Sequence, residues 1–183
     1  MTSLFRYLPS PHCDERPVGE VVELLVVHAI SLPPGQFGGG WIDDLFMGVL
    51  DAQADPYFVG IASLRVAAHF LIGRDGGITQ YVPLSKRGWH AGESVWQGRP
   101  RCNDFSIGVE LEGDEEHPFA AIQYQRLAQL TRTLQQRLPR LVEVVGHQDI
   151  APGRKWDPGR QFDWPRFRAM LPHVEPLDLP IIA

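Results

Sequence analysis

The sequence is poor in several features, and each shortage excludes a class of protein. It has two cysteines, Cys13 and Cys102, among 183 residues, and they form no CxxC pair. This argues against a disulfide scaffold and predicts two free thiols in a reducing compartment. Basic residues are outnumbered 17 to 22 by acidic ones, a net charge of −5, so we expect no binding to nucleic acid. The HExxH pattern of helix-borne zinc proteases is absent.

Long apolar runs are missing as well. No stretch approaches the ~20 apolar residues of a membrane span, and the first ten residues, MTSLFRYLPS, lack the apolar segment of a secretory signal. We therefore expect a cytoplasmic protein that does not bind membranes. The sequence shows no internal repeat and no Ser/Gly linker, which predicts one domain over residues 1–183. We expect this domain to be a monomer.

The chain does contain alternating strand-like and helix-like segments. The predicted strands are Leu24–His28, Ala68–Gly73, Ile78–Val82, Ser106–Glu112 and Val142–Gly146. The second and third are joined by a glycine-containing turn that predicts a hairpin, and the alternation in the fourth predicts a half-buried strand.

Helical periodicity follows the fourth strand. Apolar residues recur at spacings of three or four from Tyr124 to Leu138, which predicts a helix that ends at Pro139. A shorter helix is predicted from Trp164 to Leu171, with Asp163 as its N-cap. Strands interleaved with helices predict an α/β fold with a central mixed sheet flanked by helices.

Two histidines stand where predicted strands end. His28 and His147 each follow an apolar strand, so their side chains can meet at one rim of the sheet. From position alone, two unrelated histidines that bond to the backbone are the better interpretation. The stretch GHQDIAPGRKWDPG adds Lys155 and Asp157 in a constrained loop. His28, His147 and Asp157 would form an open three-ligand zinc set, whereas Lys155 and Asp157 could equally be a solvated pair.

Longer motifs carry a resemblance to a known family. These motifs are LLVVH, SLPPGQFGGGWID, DPYF, AHFLIGRDG, ITQYVPL, WHAG, RCNDFSIGVELEG, GHQDIAPGRKWDPG and FDW. In order and spacing they resemble the AmpD-type zinc N-acetylmuramoyl-L-alanine amidases, which are related to peptidoglycan recognition proteins. The resemblance covers residues 9–171 and leaves the tail 172–183 without a functional interpretation. It implies the fold of that amidase superfamily and one Zn²⁺ per chain.

The resemblance also implies roles for eight residues. His28, His147 and Asp157 match the zinc ligands. Glu110 and Lys155 match the catalytic pair. Arg65, Trp89 and Arg101 match residues that contact the muropeptide. Without the resemblance, Glu110 would read as a salt-bridge partner at the rim. Ala29 departs from the family, in which asparagine usually follows the first zinc histidine.

The implied activity is zinc-dependent hydrolysis of one amide bond. It joins the lactyl group of (anhydro-)N-acetylmuramic acid to L-alanine of the stem peptide, and the expected partner is a small anhydromuropeptide in cytoplasmic recycling. Two alternatives stay open: a recognition module without catalysis, and a lytic amidase that acts on intact cell wall.

Three minor candidates also stay open. His69 is either a satisfied buried histidine or a support for a zinc ligand. His90 either lines the cleft or merely packs. The acidic run Asp114–Glu116 is expected to be a solvated turn.

Overall fold

The computed structural model describes residues 4–183, and a six-stranded mixed sheet forms its centre. The sheet has the order β1-β5-β4-β9-β3-β10, in which only the β4–β5 pair is antiparallel among these strands. Its strands are β1 Phe5–Tyr7, β3 Leu24–Ile30, β4 Phe70–Ile72, β5 Ile78–Gln80, β9 Ser106–Glu112 and β10 Glu143–Gly146. Two further ladders pair β2 Cys13–Glu15 with β6 Lys86–Gly88, and β7 Val95–Trp96 with β8 Arg99–Pro100.

Four α-helices flank the sheet among residues 4–183. They are α1 Trp41–Met47, α2 Ala121–Arg137, α3 His147–Ile150 and α4 Trp164–Met170. Helix α4 begins as expected, because the Asp163 side chain accepts a 2.9 Å hydrogen bond from the backbone N–H of Arg166. The predicted α/β fold with a mixed sheet and flanking helices is confirmed. No helix among residues 4–183 is long and apolar enough to cross a membrane.

The predicted strands differ from the structure at several ends and in one burial pattern: the strands predicted over 68–73, 78–82 and 142–146 are shorter, at Phe70–Ile72, Ile78–Gln80 and Glu143–Gly146. Strand β3 continues two residues past His28 to Ile30, so His28 lies inside the strand and not after it. The half-buried interpretation of Ser106–Glu112 is wrong, because all seven residues of β9 are buried. Helix α2 covers one face of β9, and the segment that carries His90 packs on the other.

The alternation of side chains in β3 and β9 separates core from cleft. Leu25 and Val27 of β3, with Val109 of β9, join the apolar cluster that includes Leu127 and Leu130 of α2. Residues at even positions face the opposite side of the sheet. His28 and Glu110 are register partners on that side, and both line the main cleft.

The C-terminal tail, residues 172–183, packs along the sheet and α2. Leu179 and Ile181 are buried in the same apolar cluster as α2. The Arg137 guanidinium donates hydrogen bonds to the carbonyl oxygens of both residues, at 2.9 and 3.0 Å. The Gln80 side chain exchanges two 2.8 Å hydrogen bonds with the backbone of Ile182. The tail therefore completes the core.

Truncation of one buried tail residue is expected to destabilise the whole domain. We expect Leu179→Ala to lower the free energy of unfolding by about 2–5 kcal/mol, because a buried leucine is lost and a cavity stays behind. Ile182→Ala is the matched control, since Ile182 is 40% exposed and should change stability by less than about 0.5 kcal/mol. Urea denaturation of the three proteins measures both values. Equal stability of Leu179→Ala and wild type would contradict the structural role of the tail.

Candidate active site

Three side chains converge at the floor of the cleft. His28 Nδ1 lies 2.9 Å from His147 Nδ1, and each of these nitrogens lies 3.1 Å from Asp157 Oδ2. All three residues are buried, and among residues 4–183 they form the one group of His, Cys, Asp and Glu side chains arranged to hold a metal ion. Ligands of a tetrahedral zinc at ~2.0–2.2 Å stand about 3.3–3.6 Å apart. The observed triangle is therefore close to one face of such a tetrahedron.

The hydrogen bonds of His147 leave an electron pair pointing into this triangle. Its Nε2 lies 3.0 Å from the carbonyl oxygen of Ala91, which can only accept, so Nε2 carries the hydrogen. In neutral His147 the bare Nδ1 then faces the carboxylate of Asp157 and the Nδ1 of His28. Lone pairs and a carboxylate repel one another at this distance, whereas a cation between them is attracted to all three. The donor set fits zinc, which accepts imidazole nitrogen and carboxylate oxygen.

Two parallel strands and one loop bring the three residues together. Strands β3 and β10 are neighbours with Gly146 opposite Val27, so His147, the first residue of α3, comes next to His28. The loop that carries Asp157 folds back because the N–H of Gln148 donates a 2.8 Å hydrogen bond to the Asp157 carbonyl. Gly146 permits this approach, since a Cβ there would lie 2.7 Å from Pro158 Cδ.

Burial and close contact set the charges in the triangle. Burial lowers the pKa of His28 to about 4, so its imidazole is neutral at physiological pH. Burial by itself would raise the pKa of Asp157, but its close contacts with the His147 and His28 imidazoles outweigh burial and hold the pKa well below its ordinary value. An ionised carboxylate and a neutral imidazole are the protonation states in which these two groups bind metals.

Glu110 lies beside the triangle as a buried carboxyl group with one unpaired oxygen. It is 8% exposed, it lines the cleft with His28 and Asp157, and its Oε2 is buried without a hydrogen-bond partner among residues 4–183. Burial, and next the charge of Asp157, raise the pKa of Glu110 well above its ordinary value, while Lys155 opposes the shift. A buried, unpaired carboxyl group with a raised pKa is suited to exchange protons in a cleft.

The cleft itself has about 690 Å³ of free volume and a mixed lining. Its apolar lining residues include Leu45, Phe46, Ile61, Leu64 and Val66. Its polar lining residues include Asp114, Glu115, Glu116, His117 and Lys155. The acidic run thus borders the cleft, although the sequence suggested only a solvated turn. The run also forms a turn, as the sequence suggested, because the Asp114 side chain accepts hydrogen bonds from the N–H groups of Glu116 and His117.

The structure brings some of the other predicted residues to the cleft and leaves one outside. Lys155 and Trp89 line it. The exposed Arg65 guanidinium lies 5.1 Å from the centre of the Trp89 ring, so Arg65 is close to the cleft through this contact. Arg101 lies away from the cleft lining, with a 75% exposed side chain that forms an ion pair with Asp104 at 3.0 Å. Ala29 is one of the residues that line the cleft; its register partner is Leu111, and it also packs against the apolar cluster that includes α2.

His69 is a satisfied buried histidine. Its Nδ1 accepts a hydrogen bond from the N–H of Gly108 at 3.1 Å, and its Nε2 lies 3.2 Å from the carbonyl oxygen of Lys86. Burial, and next the charge of Arg16, lower the pKa of His69 to about 3. In the folded protein His69 therefore stays neutral at pH values at which it is already protonated in the unfolded chain.

This difference predicts a pH dependence of stability. Because the folded pKa of His69 lies below the unfolded value of about 6.5, the unfolded chain binds one more proton between these limits, and stability is lost as pH falls through this range. We expect His69→Asn, which keeps an acceptor for Gly108 and does not titrate, to reduce the slope of unfolding free energy near pH 5 by about 1.3 kcal/mol per pH unit. Denaturant titrations of metal-free wild type and variant over several pH values measure it. Identical slopes would show that His69 is not the titrating group.

Fold and site together define a class of protein. A sheet, a short helix and a loop that together bring two histidines, an aspartate and an unpaired glutamate into one cleft have the make-up of a hydrolase with a candidate metal centre. The sequence profile described as N-acetylmuramoyl-L-alanine amidase matches residues 18–160. The chain belongs to this amidase family, so the resemblance found in the motifs is confirmed.

Individual relatives agree with this assignment over nearly the whole chain. The 1,6-anhydro-N-acetylmuramyl-L-alanine amidase AmpD of Salmonella typhimurium strain SL1344 is 60% identical over 167 residues, which cover 91% of this chain and 89% of that protein. A crystal structure of a selenomethionine AmpD derivative superposes with a TM-score of 0.90 at 58% identity, covering 93% of this chain and 96% of that one. The amidase AmiD of Escherichia coli was solved with the substrate anhydro-N-acetylmuramic acid-L-Ala-D-gamma-Glu-L-Lys. It superposes with a TM-score of 0.59 at 29% identity, covering 85% of this chain and 60% of that one.

Proposed function

We propose that this protein hydrolyses the amide bond between the lactyl group of 1,6-anhydro-N-acetylmuramic acid and L-alanine of the stem peptide, with one zinc ion per chain. The observation that carries the proposal is the triangle of His28, His147 and Asp157 beside the unpaired Glu110 at the floor of the cleft. The names of the 60% identical AmpD relatives support the choice of anhydromuropeptide. In the reaction, water adds OH to the lactyl carbonyl carbon and hydrogen to the released amine.

Each residue of the site has a task in this scheme. His28, His147 and Asp157 would hold the zinc, which supplies Lewis acidity that activates water and polarises a carbonyl. Glu110 takes the proton that water releases and passes it to the leaving nitrogen of L-alanine. Its buried position and raised pKa suit it to hold that proton between the two transfers. Lys155 brings a positive charge to the place where the carbonyl oxygen becomes an oxyanion.

The charge of Lys155 can be tested by substitution. We expect Lys155→Met to lower kcat about 10²–10³-fold with little change in KM, because an oxyanion contact acts in the transition state and not in the ground state. Lys155→Arg keeps a positive charge and should recover part of the loss. Steady-state kinetics of both variants measures this. Wild-type kcat in Lys155→Met would remove Lys155 from the mechanism.

Substrate binding is assigned to residues at and near the cleft. Trp89 presents an aromatic ring to the cleft, which suits contact with the face of a sugar, and Arg65 beside it suits a stem-peptide carboxylate. Arg101 keeps this role only as a prediction, since it would have to leave its ion pair with Asp104 to reach the cleft.

Mass spectrometry of a purified anhydromuropeptide tests the proposal. We expect zinc-loaded protein to convert it into anhydro-N-acetylmuramic acid and the free stem peptide, whose summed mass exceeds that of the substrate by one water. Binding without cleavage would favour a recognition module, and faster release of peptides from intact cell wall would favour a lytic amidase. The cytoplasmic location and the monomeric state stay predictions, which cell fractionation and analytical ultracentrifugation check.

A further inference from the structure

The outer nitrogens of both candidate metal histidines contact one short segment. On the side that faces away from Asp157, His28 Nε2 lies 2.9 Å from Nδ1 of His90. His147 Nε2 lies 3.0 Å from the carbonyl oxygen of Ala91. Two consecutive residues between β6 and β7 therefore support both rings.

The hydrogen atoms in these contacts can be assigned from chemistry. A metal on His28 Nδ1 uses that lone pair, so the hydrogen of neutral His28 sits on Nε2 and His90 Nδ1 must accept it. The hydrogen of neutral His90 then sits on its own Nε2, which lies 3.2 Å from Ser106 Oγ. The hydroxyl oxygen accepts it. The bond from His147 to Ala91 fixes the same arrangement in the second ligand.

The segment is itself held firmly. Asn103 Oδ1 accepts hydrogen bonds from the backbone N–H of Ala91 at 2.8 Å and from that of His90 at 3.2 Å. The His90 ring lies directly on β9 at Gly108, where a Cβ would stand 2.5 Å from His90 Cγ. Arg154 donates a 2.7 Å hydrogen bond to the Ala91 carbonyl. Backbone, ring and carbonyl are thus each fixed by a separate contact.

We propose that His90 and Asn103 are positioning residues of the metal centre: His90 fixes the ring and tautomer of His28 directly, and Asn103 acts on both ligands by holding the His90–Ala91 segment. The inference rests on the zinc centre of the proposed function and extends it by one layer of residues. Hydrogen-bond partners of this kind typically change metal affinity 10–100-fold when they are removed.

A matched pair of substitutions tests His90. Leucine and asparagine have nearly the same shape, but only asparagine places an oxygen acceptor where Nδ1 of His90 stands. We expect His90→Leu to bind zinc about 10–100-fold more weakly than wild type in a chelator competition, and His90→Asn to recover most of the affinity. The visible spectrum of the cobalt-substituted protein should shift in His90→Leu and stay close to wild type in His90→Asn.

A second pair tests Asn103 and guards against failure to fold. We expect Asn103→Leu to weaken zinc binding about 10–100-fold, while Asn103→Asp keeps the acceptor for both N–H groups and much of the affinity. Melting of the metal-free variants separates loss of binding from loss of fold. Where His90→Leu does not fold, His90→Gln replaces it, because its amide reaches towards Ser106 and not towards His28. Weaker binding in His90→Gln than in His90→Asn supports the inference, and equal binding contradicts it.

One control separates the two levels of the argument. His28→Ala should abolish tight zinc binding if the centre is where we place it. Should His28→Ala bind zinc like wild type, the proposed centre fails. Should His28→Ala lose zinc while His90→Leu and Asn103→Leu bind it as tightly as wild type, only the positioning roles are overturned.

Discussion

Glu110→Gln is expected to lower kcat about 10²–10⁴-fold while the protein keeps its zinc. The amide has nearly the shape of the carboxylate but cannot take the proton that water must release. Because Glu110 is not one of the three converging side chains, metal content should not change. Glu143→Gln is the matched control, since Glu143 lies on β10 in contact with Trp96, away from the cleft, and should leave kcat unchanged. Kinetics with metal analysis measures both, and a wild-type rate in Glu110→Gln would exclude Glu110 as the base.

The same substitution should stabilise the metal-free protein at neutral pH. The pKa of Glu110 is raised in the folded state, mainly by burial, so the folded state binds the proton more tightly than the unfolded chain does. Stability is therefore lost as pH rises above the unfolded value of about 4.5. Glutamine carries no charge and avoids this loss. We expect a higher melting temperature for Glu110→Gln than for wild type at pH 7, and a smaller difference in melting temperature near pH 4. A lower melting temperature for Glu110→Gln at pH 7 would show that the carboxylate is not destabilised by its surroundings.

His147→Ala is expected to have the largest effect on activity. It removes one of three ligands and leaves a buried carboxylate and one imidazole, so zinc binding should fall below detection in dialysed protein. Loss of the metal removes several kcal/mol of transition-state stabilisation, roughly a 10³-fold or greater loss of kcat/KM.

The control for this variant is His173, an exposed histidine that is not among the residues lining the cleft. His173→Ala should keep both zinc and activity, because His173 lies in an exposed turn after α4. Elemental analysis and kinetics on the same samples give the answer. Stoichiometric zinc in His147→Ala would show that the ligand assignment is wrong.

The elements that the sequence predicted best are those with long apolar patterns. Strands β3 and β9 were visible as β-favouring segments rich in apolar residues, and helix α2 was visible from the helical spacing of its buried face. The same holds for the α4 cap, where Asp163 and Pro165 act within one turn. Helix α1 and the two-residue strands β7 and β8 went unpredicted, because their few residues carry no period and tertiary contacts decide their conformation.

The candidate site was predictable in its residue types and not in its surroundings. His147 and Asp157 share one stretch, so their proximity could be inferred locally. The contact of His28 with His90 joins residues 62 positions apart and depends on Gly108, which leaves room for the ring. No spacing rule indicates such a contact. The burial of Glu110 likewise follows from sheet register, which places it opposite His28 inside a covered strand.

The most direct test of the account is a zinc titration of the metal-free protein against an anhydromuropeptide. The hydrolysis rate should rise linearly with added zinc and reach its plateau at one equivalent per chain, because His28, His147 and Asp157 form one site. The His147→Ala protein should show no such rise. Full activity of the metal-free protein, or a plateau that does not depend on zinc, would contradict the proposal that this triangle is the centre of a zinc amidase.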